Sequence, residues 1–178
     1  MHDLGFNTRH ILISGQWRAG ASGETLPLQN PSDGSVLAQI ARGNAADSHA
    51  AVAAARAALA GEWGQLTAAE RGRILLKMSA ITLARADELA RLEALDVGKP
   101  IKQGRADAVA MARYLEFYGG AADKVMGETI PFANGYTAFS LREPHGVTGH
   151  IVPWNYPMQI IGRSVGDRKS TRLNSSHG

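Results

Sequence analysis

The sequence predicts a mixed fold, α/β or α+β, in which a parallel sheet begins near residue 146. Three observations carry that prediction. Short apolar stretches bounded by turn residues open the chain, and alanine- and leucine-rich runs with helical spacing fill its middle. A mostly apolar run, "GVTGHIV", then ends on Pro153, as a buried parallel strand would.

Taken in order, "ILISGQW" (residues 11–17) and "VLAQI" (36–40) read as short strands, separated by the turn-rich "NPSDGS" (30–35). Asp47 is placed as the N-cap of an alanine-rich helix to about Leu59, with Gly61 as its exit. Thr67 and Glu70 stand at capping-box spacing and open the next helix. Its apolar stripe is Ile74, Met78, Ile81, Leu89, Leu92 and Leu95, and Gly98 and Pro100 stop it. A third helix is expected over residues 101–122, with Ala108, Met111, Ala112, Leu115 and Gly119 on one face. Beyond Met126 the texture turns to strands, at 136–143 and at 146–152. Pro153 ends the second, having no amide hydrogen for a ladder.

Composition bounds the function. At 178 residues the chain is one domain or the first part of something larger. Its 44% hydrophobic and 20% charged residues are those of a soluble globular protein. No run is long and apolar enough for a membrane span. The first fifteen residues lack the layout of a secretory signal, which makes a cytoplasmic location the expectation. The absence of cysteine excludes disulfides, thiolate metal sites and a cysteine nucleophile within this chain. The formal charge is +3, of which residues 167–178 carry +2 (Arg168, Lys169 and Arg172 against Asp167), leaving +1 for the remainder. The body is nearly neutral, so no nucleic-acid partner is expected.

One constellation suggests chemistry. Trp154-Asn155-Tyr156 follows the apolar run and is flanked by Pro153 and Pro157. At the carboxyl end of a parallel strand this trio would border the crevice where open α/β sheets bind ligands. The two prolines leave the Asn155 amide little freedom, and a preorganised N–H donor is what a developing oxyanion requires. The plainer reading is a stiff turn in which Asn155 bonds its own backbone and Trp154 fills core. The six histidines show no helical metal-ligand pairing, so no metal is expected. "YGGAADKVMG" fits no phosphate-binding pattern, and the glycosylation acceptor at Asn174 lacks a secretory context.

The stretch "REPHGVTGHIVPWNYPM" (142–158) closely resembles the signature of the NAD(P)-dependent aldehyde dehydrogenase superfamily. "ISGQW", "NPSDGSVLAQI", "LARADELARLEALDVGKP" and "YGGAADKVMGETIP" resemble that family's N-terminal segments, in the family's order, so the likeness covers residues 11–166. It implies an α/β fold: the N-terminal part of the family's architecture, with only the first strand of its Rossmann-like parallel sheet. Residues 1–131 would belong to the cofactor-binding domain, 132–145 to an oligomerisation strand segment, and 146–166 to the start of the Rossmann-like domain. The resemblance further implies NAD or NADP as cofactor, a small-molecule aldehyde as substrate, and a homo-oligomer in the full-length form.

In that family a cysteine thiolate attacks the aldehyde, and an asparagine amide and a backbone N–H hold the resulting oxyanion. Hydride then passes to the nicotinamide, and a glutamate activates water to release the acid. Asn155 matches the oxyanion asparagine. Ile151, Val152, Pro153 and Trp154 match the strand end along the dinucleotide, and Tyr156 matches an aromatic position of the aldehyde tunnel. Two departures stand out. Arg163-Ser164 replaces the usual tryptophan-lysine pair, and a tunnel guanidinium would favour a polar or anionic aldehyde. After Gly166 the text becomes "DRKSTRLNSSHG", which resembles read-through of non-native sequence. The family's nucleophilic cysteine and general-base glutamate are thus expected beyond this fragment, which should be inactive alone. The alternative is a non-catalytic truncated module that associates with full-length subunits through residues 136–143.

Overall fold

The computed structural model describes residues 5–170, with side chains described through residue 167. The chain divides into two compact units: residues up to Gln65 with Ala86–Asp107, and Leu66–Arg85 with the residues from Ala108 on.

The first unit opens on two antiparallel hairpins. The predicted strand at 11–17 is in fact a hairpin, β1 (His10–Ile13) against β2 (Gln16–Ala19). Ser14 and Gly15 make the turn at φ 54° and 74°, the positive values that two-residue hairpin loops demand. The second hairpin pairs β3 (Thr25–Gln29) with β4 (Val36–Ala41). The sequence expectation includes no strand at 25–29, which contains Pro27. In a two-stranded sheet, however, every strand is an edge, and an edge tolerates proline. The intervening turn is as predicted. Ser35 O accepts from Asn30 N, Asn30 O accepts from Gly34 N, and the Asn30 and Asp33 side chains accept from Ser32 N and Ser35 N.

Helix α1 (Ala45–Ala60) starts earlier than expected. Asn44 is its cap, accepting from Ala46 N and Asp47 N, and Asp47 closes a capping box by accepting from Asn44 N at 3.1 Å. Asp47 therefore sits at the third helical position rather than at the cap. Its buried carboxylate also accepts from Ala21 N, tying the end of the first hairpin to α1. A short α2 (Glu62–Gln65) follows Gly61.

The single helix predicted from Thr67 is two, α3 (Ala68–Ala84) and α4 (Ala86–Val97), broken at Arg85. Neither glycine nor proline marks the break. Asp87 and Glu88 do occupy the first turn of α4, where acidic side chains favour a new helix start. Within the first unit, α4 packs on the beginning of α5 (Ile101–Ala121): Gly104 lies against the Ala90 backbone.

In the second unit, α3 begins at the predicted capping box. Thr67 Oγ1 accepts from Glu70 N, and the Glu70 carboxylate accepts from Thr67 N at 2.8 Å. Its buried face is not the predicted stripe. Arg71, Gly72, Leu75, Ser79 and Thr82 face inward, whereas Ile74 and Ile81 are exposed. Close approach of α5 explains the choice of small residues. A Cβ on Gly72 would stand 2.5 Å from Gly119 O, and Ser79 Oγ donates to Ala112 O at 2.8 Å. The α5 face is as predicted, with Ala108, Ala112 and Leu115 fully buried, Gly119 buried and Met111 half-buried.

Only two residue pairs of the predicted strand at 136–143 form a ladder, between β5 (Thr129–Ile130) and β6 (Ala138–Phe139). Residues 146–152 carry no ladder; the described strands pair only within three hairpins. Helix α6 (Pro157–Ser170) completes the unit and packs against α3. It runs on through residues 167–170, so the first part of the supposed tail continues a helix. Residues 171–178, including Asn174, lie outside the described residues. No helix among the described residues is long and apolar enough to cross a membrane.

Candidate functional site

The trio singled out by sequence lies at the entrance to α6. Trp154 and Asn155 form a turn, and Tyr156 O accepts the first helical bond, from Ile160 N at 3.0 Å. Pro157 takes the first helical position, where its missing N–H would have been an orphan anyway. The sequence explains the clamp. Pro153 and Pro157 fix their own φ and restrict the residue before each, so the chain enters the helix along a narrow set of paths. Asn155 is exposed. Trp154 is 78% exposed, so it does not fill core as the plainer reading has it.

Upstream, Thr148 Oγ1 and His150 Nε2 lie 3.0 Å apart. Ile151 is 98% exposed and Val152 half-buried. Ile151, Val152, Pro153 and Trp154 thus form an apolar, largely open run leading into the Asn155 turn, rather than the end of a paired strand.

Downstream, α6 is seated on α5 by its small residues. Met158 is buried, and Gly162 packs on the Met111 backbone and the Tyr114 ring. One turn on, Gly166 packs on Tyr118. Arg163 flanks this seam. Its guanidinium lies 5.3 Å from the centroid of the Tyr114 ring, and its Nη2 donates to Gln159 Oε1 at 2.7 Å. Such stacking helps hold a cation in place. Burial pushes the nearby Tyr118 phenol up, with Asp167 and Tyr114 adding to the effect and Arg163 opposing it. Arg163 comes six residues after Pro157, about 9 Å along the helix axis.

The structure therefore gathers Asn155, Tyr156 and Arg163 on one short segment, preceded by the open run 151–154. Sequence reasoning missed α6 itself and the partners Gln159 and Tyr114. The usable signals were Pro157 as a helix opener, the i, i+4 spacing of Gln159 and Arg163, and the repeat Met158, Gly162, Gly166. Among the described residues no three His, Cys, Asp or Glu side chains are grouped to hold a metal ion.

The aldehyde dehydrogenase family profile matches residues 17–167. A hydroxyisobutyraldehyde dehydrogenase of Mycolicibacterium austroafricanum is 42% identical over 155 residues, 87% of this chain and 31% of that protein. An Arabidopsis thaliana mitochondrial protein, aldehyde dehydrogenase family 2 member B4, is 42% identical over 158 residues, 88% of this chain and 29% of its own length. The crystal structure of a candidate aldehyde dehydrogenase from Burkholderia cenocepacia superposes with a TM-score of 0.89 at 59% identity, covering 93% of this chain and 35% of that one. PnpE, solved in complex with nicotinamide adenine dinucleotide, superposes with the same TM-score at 37% identity, over 94% of this chain and 34% of that one. The chain spans about a third of the length of these relatives. With its α/β fold and a profile match over most of its length, the chain belongs to the aldehyde dehydrogenase family.

Proposed function

We propose that this chain forms the oxyanion-holding and cofactor-facing part of an enzyme that oxidises an aldehyde to a carboxylic acid with NAD or NADP. The observation that carries the reading is the Asn155 turn, fixed between two prolines at the entrance of α6 and exposed to an incoming ligand. Its side-chain amide donates to the aldehyde oxygen as negative charge gathers there. The prolines restrict the backbone on either side of the donor, which lowers the reorganisation needed at that moment. Tyr156 and Arg163 line the approach of the aldehyde, with the guanidinium favouring substrates that carry a polar or anionic group.

A dinucleotide fits the run before the turn. Ile151 and Trp154 present apolar side chains almost wholly open, as a flat ring and its sugar would use, and Val152 and Pro153 complete that wall. When bound, the nicotinamide supplies the hydride acceptor. This chain's contribution is to hold the ring beside the substrate and to keep water from that side. The chain contains no cysteine, so the thiolate the chemistry calls for comes from outside it, and the chain alone is inactive. Residues 1–131, 132–145 and 146–166 serve in this reading as cofactor-domain scaffold, oligomerisation segment and start of the dinucleotide-binding domain. A cytoplasmic, homo-oligomeric parent is the companion proposal.

A second reading has its own support. Ile130, Phe132, Tyr136, Phe139 and Leu141 are all exposed on or around the β5–β6 hairpin, and so much open apolar surface favours association. The chain would then be a non-catalytic module that joins full-length subunits.

Replacing the matching segment of the Mycolicibacterium enzyme with residues 17–167 of this chain tests the main reading. Reduced nicotinamide should accumulate when an aldehyde is supplied. A swapped enzyme that folds and assembles yet oxidises no aldehyde would contradict the proposal and favour the second reading.

A further inference from the structure

Helix α4 and the start of α5 bury three ionisable groups that the proposed chemistry does not use. Lys99 Nζ donates to Glu93 Oε1 and to Asp107 Oδ2, each at 2.6 Å. Gln103 Nε2 donates to Asp107 Oδ1 at 2.9 Å. Asp107 is wholly buried and Glu93 is 4% exposed. Two carboxylates thus share one ammonium. Fully ionised, the two carboxylates would repel each other across that ammonium, out of water, which is costly.

The hydrogen bonds indicate where that cost is relieved. Both Asp107 oxygens accept, whereas Glu93 Oε2 is buried with no hydrogen-bond partner. An oxygen that no donor reaches is the worst placed of the four to keep a charge, and a proton there relieves the repulsion. The groups facing Glu93 are Lys99, from the connection between the two helices, and Asp107, from α5. Asp96 lies one turn further along α4 and is itself pushed up by burial. Burial pushes the Glu93 carboxyl up. Lys99 opposes this, and the Asp107 carboxylate adds to it. For Lys99, burial alone would lower the ammonium, but its bonds to Asp107 and Glu93 outweigh that and raise it.

We propose that Glu93 is a buried proton-binding site: it holds a proton on Oε2 beside a neutral Lys99–Asp107 ion pair, and releasing that proton loosens the joint between α4 and α5. The sign follows from linkage. A carboxyl raised in the folded state contributes stability that is complete below its ordinary value of 4.5. That contribution fades as pH rises through the folded value. The raised Lys99 acts in a separate window, above its ordinary 10.5.

The test is a carbon-13 NMR titration of the 178-residue chain labelled at the glutamate carboxyl carbons, with Glu93→Gln for assignment. One glutamate should titrate above the rest, and its resonance should be missing from the variant. In urea, the unaltered chain should lose stability relative to Glu93→Gln as pH rises above 4.5, since the amide stays neutral throughout. Should the variant not fold, the titration of the unaltered chain still decides. If every glutamate titrates at or below 4.5, the proposal is overturned.

Discussion

Replacing Gly162 by alanine should unseat α6 without altering any group in the proposed chemistry. A Cβ at that position would stand 3.0 Å from Met111 Cα, 3.2 Å from Met111 O and 3.2 Å from Tyr114 Cδ2. Carbon atoms pack at about 3.5–4.0 Å, so the first contact is short by about 0.5–1 Å. Two of the three obstacles are α5 backbone and cannot rotate aside. Overpacking of this kind costs about 1–3 kcal/mol, offset by the roughly 1 kcal/mol that alanine gains over glycine inside a helix. Gly166 supplies the control on the same helix. Its Cβ would meet Tyr118 Cδ2 at 2.9 Å, the edge of a ring that can turn. Gly162→Ala should therefore be less stable than Gly166→Ala by about 1–2 kcal/mol. Urea unfolding of both variants beside the unaltered chain measures the difference. Equal midpoints, or a lower one for Gly166→Ala, would refute the view that α6 rests on backbone at Gly162.

Two other predictions concern charge. The Glu70 carboxyl is held below its ordinary 4.5, first by the Thr67 N–H and then by the Thr67 hydroxyl. The stability this provides is present above 4.5 and lost as pH falls through the depressed value. Glu70→Gln should flatten the acid limb of the stability curve, and parallel limbs would show that the capping box adds no pH dependence. In the swapped enzyme, Arg163→Gln should lower kcat/KM for a carboxylate-bearing aldehyde, relative to its neutral counterpart, by about ten- to a hundredfold, the worth of a charge-assisted hydrogen bond. An unchanged ratio would remove the guanidinium from substrate selection.

Legibility in the sequence followed the range of the physics. Signals confined to a few neighbouring residues were readable: the Thr67–Glu70 box, the turn at 30–35, and the small-residue face of α5 all stand where the sequence puts them. Features that depend on what packs from elsewhere were not. The buried face of α3 is chosen by the approach of α5, which admits Gly72 and Ser79 and leaves the larger Ile74 and Ile81 outside. The strand at 146–152 has the right composition but no neighbour, and a ladder needs one. Asn44 and Asp47 both suit a helix start, and only the geometry shows that they cap reciprocally. At the site, the proline clamp around Asn155 was legible as dihedral restriction. The helix that carries Arg163 was not, because the polar run after Gly166 obscured its seam of Met158, Gly162 and Gly166.

The most direct measurement is turnover of the swapped enzyme with Asn155→Ala, taken together with its dissociation constant for the dinucleotide. If the amide holds charge on the substrate oxygen, turnover falls by about a hundred- to a thousandfold while cofactor affinity stays put. Turnover within a few-fold of the unaltered enzyme, or a loss confined to cofactor binding, would contradict the assignment.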